Sequence, residues 1–271
     1  MPKGSKANYV NDHSILDFPD GAVLITTHYF ENVLPEKNRK MIETRLIIKK
    51  EGEWVLVNYK WNNEQTEAVY TTEGSFVNVK IEDNNEAKAV NYKIPSYNEC
   101  FTCHNKYDEI LPIGLKPQNI NADFTFKDGV KNQLKKWAEF GYLETSNIPA
   151  EIVSVVDWAD VSQPLDLRVR SYLDINCAHC HSDKGYCEYA PMRFSFKDTE
   201  DFANMGVDVE HNFELEGDLS HIIAPGKPEE SALLFRLKST LDEYKMPIMG
   251  RNLQHKEGVQ LIEQWINSLE K

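Results

Sequence analysis

Ile94-Pro-Ser-Tyr-Asn-Glu-Cys100-Phe-Thr-Cys103-His104 marks the point at which the chain changes character. Residues before it are strand-like, residues after it are helix-like, and the run closes on the pattern C-x-x-C-H. The same pattern returns at Cys177-Ala-His-Cys180-His181. Two cysteines three apart on a turn of helix can form thioethers with both vinyl groups of one porphyrin, and the histidine that follows reaches the iron. Each motif therefore reads as a covalent heme c site, two in all. Cys100, Cys103, Cys177 and Cys180 would hold the porphyrins, and His104 and His181 would ligate the irons.

Other readings of the cysteines fit less well. A thioredoxin-like dithiol wants a βαβ context that the flanking residues do not supply. A zinc ribbon spaces its two C-x-x-C pairs about 15–20 residues apart, whereas these begin at positions 100 and 177. The fifth cysteine, Cys187, has no partner once both pairs are consumed by heme, and reads as a small buried hydrophobe.

Upstream of Ile94 the chain is rich in β-branched and aromatic residues. Strands are expected from Gly21 to Phe30, Met41 to Ile48, Trp54 to Trp61 and Ser75 to Ile81, separated by turn-like breaks such as Lys50-Glu-Gly-Glu and Glu82-Asp-Asn-Asn. Downstream, apolar spacing predicts helices over residues 130–141, 164–176 and 256–269. The expected fold class is α+β: an antiparallel β-rich sandwich or barrel over residues 1–97, then mostly α-helical cytochrome c-like heme domains. A first heme-binding segment is expected over 98–160 and a cytochrome c-like second heme domain over 161–271.

The sixth iron ligand separates electron transfer from catalysis, because methionine ligation closes the iron to substrate and raises its potential. For the second heme Lys245-Met246-Pro-Ile-Met249-Gly precedes the closing helix, which makes Met246 the expected ligand and Met249 the runner-up. For the first heme Met41, His28, Met192 and His211 are all conceivable, and none is singled out.

The formal charge of −13 argues against a nucleic-acid partner, which needs a basic face, and favours redox partner proteins with basic patches. Apolar runs last only three or four residues, so no membrane span is expected. No apolar stretch follows Met1-Pro-Lys-Gly-Ser-Lys6, so no signal peptide is visible. Phosphate loops, nucleophile elbows and HExxH are absent from the sequence, leaving hydrolase and nucleotide chemistry without support.

Several stretches together resemble a family of bacterial exported diheme c-type cytochromes. They are Phe18-Pro-Asp-Gly-Ala-Val-Leu-Ile25, Ile42-Glu-Thr-Arg-Leu-Ile47, Tyr59-Lys-Trp-Asn-Asn-Glu-Gln-Thr-Glu-Ala68 and the two motifs with their leading residues. Ile223-Ala-Pro-Gly-Lys-Pro, Met246-Pro and Gln264-Trp-Ile266 resemble the distal half of bacterial cytochrome c domains more widely. The resemblance implies two hemes and a periplasmic or otherwise exported location. An export signal normally precedes such a chain, so this one is expected to be trimmed. The leading expectation is an electron carrier and not an enzyme. A peroxidase-like diheme enzyme with an open coordination site at the first heme is the alternative. In a third reading the aromatic-rich N-terminal region binds a partner and the hemes only relay.

Overall fold

The structure is a computed structural model and describes residues 1–270; residue 271, the end of the expected second heme domain, lies outside the described residues. Six antiparallel strands occupy the first third of the chain: β1 (Val23–Val33), β2 (Asn38–Lys50), β3 (Glu53–Trp61), β4 (Ala68–Thr71), β5 (Ser75–Asp83) and β6 (Glu86–Ile94). They form one sheet in the order β4-β3-β2-β1-β5-β6. Two tight turns set its registers. Lys50 pairs with Glu53 across Glu51 and Gly52, and Asp83 pairs with Glu86 across Asn84 and Asn85; all four turn residues have positive φ. Such two-residue turns match the twist of the strands they join.

The sheet curls into a half-barrel. β1 and β5 pair only at Val33 opposite Ile81, so the curl closes through one short junction. Alternation along β3 buries Trp54, Leu56 and Asn58 and turns Val55 outward, as expected of strands with one covered face. Opposite Asn58 on β2 stands Arg45, and opposite Arg45 on β1 stands Thr26.

After the sheet come α1 (Tyr97–His104), the ribbon β7 (Asn105–Lys106) with β8 (Glu109–Ile110), α2 (Pro117–Ile120), the ribbon β9 (Asp123–Phe126) with β10 (Gly129–Asn132), and α3 (Gln133–Glu139). Then follow α4 (Leu165–Asn176), α5 (Ala232–Lys238) and α6 (Lys256–Ser268). α4, α5 and α6 share a core in which Val169, Leu173, Leu234, Ile262, Trp265 and Ile266 are essentially inaccessible. Trp265 Nε1 donates to Asp166 Oδ1 at 2.7 Å, tying α6 to the first turn of α4. No helix among the described residues is long and apolar enough to cross a membrane.

The expected fold class is overturned. The molecule is mostly β, with 29% strand against 23% helix and few short helices, and the regions carrying the motifs are not helical cytochrome c-like domains. Local chemistry explains the shortfall. Between Cys177 and Ser231 only single turns of 3-10 helix form, at Asp198–Glu200, Phe202–Met205 and Pro228–Glu230. Residues expected to start a helix at Val130 instead complete β10, because the Asn132 side chain accepts from Lys135 N and caps α3 there. Val130 is left exposed, not on an apolar helical face.

Candidate functional site

α1 carries the first motif, and its start is doubly capped. Ser96 Oγ accepts from Glu99 N at 3.4 Å while Glu99 Oε2 accepts from Ser96 N at 2.9 Å, a reciprocal capping box. Lys93 at the end of β6 forms an ion pair with the same Glu99. The helix is thus pinned to the sheet edge, and this pinning fixes where Cys100, Cys103 and His104 point.

A hairpin turn then returns the chain to His104. Tyr107 and Asp108, both with positive φ, reverse β7 into β8. Leu111 N donates to His104 O at 2.8 Å, and His104 Nδ1 donates to Leu111 O, also at 2.8 Å. A carbonyl can only accept, so Nδ1 carries the proton and Nε2 keeps its lone pair. Metal-ligating histidines are commonly oriented in this way. Burial also pushes the His104 pKa below its ordinary value, favouring the neutral ring.

Cys100, Cys103 and His104 line a cavity of about 600 Å³ whose opposite wall includes Leu24, Arg45 and Leu56 on the half-barrel. That volume lies within the range of about 300–1,000 Å³ usual for small-molecule and cofactor sites. A more polar cavity of about 720 Å³ borders Cys103 and His104 but not Cys100. Only the first therefore collects the whole motif. Burial raises the pKa of the Cys100 thiol, and nearby Arg45 partly opposes that rise.

The second motif begins where α4 ends. Cys177 N and Ala178 N both donate to Leu173 O, and Cys180 N and His181 N both donate to Cys177 O, so the motif turns tightly. Gly185 closes the loop behind it, since a Cβ there would stand 2.5 Å from Cys180 O. His181 packs edge-on against Phe194, with centroids 5.2 Å apart, and its Nδ1 is buried without a hydrogen bond. Cys177, Cys180, His181, Met246 and Met249 line one narrow, mostly apolar cleft of about 90 Å³. Burial pushes the Cys177 thiol up to about 12.

The two motifs touch. Cys180 Sγ donates to Thr102 O at 3.2 Å, and the ligating atoms of Cys103, His179 and Cys180 all lie within 4.8 Å of one another. Hydrogen bonding with Cys180 holds the Cys103 thiol well below its ordinary pKa and pushes that of Cys180 up. Cys187 is buried, as expected, but it too hydrogen-bonds Cys180 and neighbours His181, which lowers its pKa. His179 and Cys187 were not foreseen as members of this cluster, and nothing in their spacing signals it.

Among the sixth-ligand candidates for the first heme, His28 lines the 600 Å³ cavity, whereas Met41, Met192 and His211 do not. Met192 lines the second cleft, and His211 Nε2 donates to Leu219 O at 3.2 Å. Burial, then Arg45, lowers the pKa of His28.

No family model matches the chain, and no curated protein or solved structure matches it. The likeness to exported diheme cytochromes therefore stands on the motifs themselves. The residues at the first motif fit a covalent heme: two thiols, a histidine with a free Nε2, and a mostly apolar cavity of suitable size. At the second motif the residues suit the same group in kind, but the cleft is narrow, about 90 Å³.

Proposed function

We propose that this chain is a diheme c-type cytochrome that transfers electrons. Cys100 and Cys103 would hold one heme with His104 on its iron, and Cys177 and Cys180 the other, with His181 and Met246 on its iron. The observation that carries the reading is the contact between the motifs, Cys180 Sγ to Thr102 O at 3.2 Å. It would bring two porphyrins next to each other, which electron relay needs. When bound, the hemes supply one-electron chemistry at a potential tuned by axial ligand and burial. The protein's own residues orient them: the Leu111 carbonyl sets the His104 tautomer, and Met246 faces the same cleft as His181. Covalent attachment at C-x-x-C-H takes place outside the cytoplasm, so the reading carries an exported location with it. The acidic charge favours a redox partner with a basic docking face.

The test is a pyridine hemochrome assay on protein matured with a heme-attachment system, with heme counted per chain. Two covalent hemes are expected; none would overturn the proposal. A second reading has its own observation, the cluster of Cys103, His179 and Cys180. Two thiols and an imidazole are the donor set of a soft-metal site, and zinc would want a fourth donor, which Cys187 beside Cys180 could supply. Stoichiometric zinc in chain made without heme attachment, lost in Cys103→Ser, would favour that reading.

A further inference from the structure

An iron held by His104 would have a second axial position, and the half-barrel supplies one imidazole to the same cavity. His28 stands on β1 opposite Glu43 of β2, two pairs along from Thr26 and Arg45 and so on the same face, and lines the cavity that contains Cys100, Cys103 and His104. Three features set it apart from an ordinary strand histidine. It is half-buried, yet its ring makes no hydrogen bond among the described residues. The β1–β2 register shifts between His28 and Tyr29, and such bulges re-aim side chains and cluster next to functional sites. Its neighbours Glu43 and Arg45 pair with one another at 2.5 Å, and neither hydrogen-bonds the imidazole. The thioethers of Met1 and Met249 line the same cavity and are the competing donors.

We propose that His28 is the second axial ligand of the first heme iron, opposite His104, so that the chain carries one bis-histidine heme and one histidine–methionine heme. The proposal rests on the diheme reading above. It also closes the first iron to small oxidants, which separates a carrier from a peroxidase-like enzyme.

The chain matured with both hemes is the material for the test. In wild type, near-infrared magnetic circular dichroism is expected to show one His/His and one His/Met iron, with no carbon monoxide binding to the reduced protein. In His28→Ala, one of the two hemes should turn high-spin, and carbon monoxide uptake should rise from none to one per chain. His28→Met should restore six-coordination and raise the midpoint potential of that heme alone. Two low-spin hemes in His28→Ala, or conversion to high spin in Met249→Leu in its place, would overturn the proposal. Should His28→Ala not accumulate, the wild-type spectrum decides, since absence of a His/His signature is equally fatal. Failure of the underlying reading looks different, because the heme count per chain then falls below two before any variant is made.

Discussion

His104 Nδ1 and the carbonyl oxygen of Leu111 lie 2.8 Å apart, and this one bond decides which ring nitrogen is left to bind the iron of the proposed first heme. Replacing His104 by glycine should leave both thioethers intact but cost the first iron its protein ligand. A high-spin signal at one heme of two, abolished by added imidazole, is the expected result. If His104→Gly keeps two low-spin hemes without imidazole, His104 is not the proximal ligand.

If the chain carries the two proposed hemes, contact between Cys180 and Thr102 predicts that they feel each other. Reducing one heme places an electron close to the other inside a medium of low dielectric, so the second reduction should be harder. Potentiometric titration is expected to give two separated steps, and the double variant Cys177→Ala/Cys180→Ala should leave a single step at a shifted potential. An unchanged potential for the remaining heme would show that the centres are uncoupled.

Glu43 is fully buried and accepts from Arg45 Nη2 and Tyr92 Oη at 2.5 Å each and from Asn58 Nδ2 at 2.8 Å. Removing it in Glu43→Ala strands three donors, one of them charged. Breaking such a pair costs about 3–5 kcal/mol. The Arg45 side chain is still 26% exposed, which points to the lower end of that range. Denaturant unfolding should show the loss, with Glu43→Gln losing less because it keeps an acceptor.

Tyr172 is buried against α6, where its hydroxyl lies 3.0 Å from His255 Nδ1 and a Cβ at Gly258 would strike it at 2.2 Å. Burial pushes its pKa up to about 12 from an ordinary 10. The unfolded chain therefore releases this proton first as pH rises. Stability from the neutral phenol is complete below about pH 10 and drains away between about 10 and 12, by roughly 2–3 kcal/mol. Tyr172→Phe should start less stable at pH 8 and lose less over that window in parallel unfolding curves.

Heme-free chain offers a check on the thiols. Thiolate is the reactive form, so Cys177, pushed up to about 12, and Cys180, raised by its hydrogen bond with Cys103, should alkylate slowly at pH 8, and Cys103 should be much faster. Mass spectrometry of timed iodoacetamide labelling reads the order directly.

Local chemistry was legible where it is local. Trp54, Leu56 and Asn58 alternate inward along β3 as their two-residue period requires, and Asn84-Asn85 makes the turn its side chains favour. The two C-x-x-C-H motifs announced themselves by spacing alone. Helical content did not, since Asn132 ends a strand where apolar periodicity suggested a helix already under way. Nor could spacing reveal that Cys103 meets His179 and Cys180, or that His28 faces the first cavity, because both depend on how distant segments pack.

The curled sheet has one more consequence, for manufacture. Every strand of the half-barrel precedes Cys100 in the chain, so the wall is complete in sequence before the first attachment cysteine exists. On the diheme proposal, a porphyrin bound for Cys100 and Cys103 would have to arrive while that wall is still open. Loading and closure are thus expected to run as a kinetic race, and chain carrying heme only at the second motif would be its losing product.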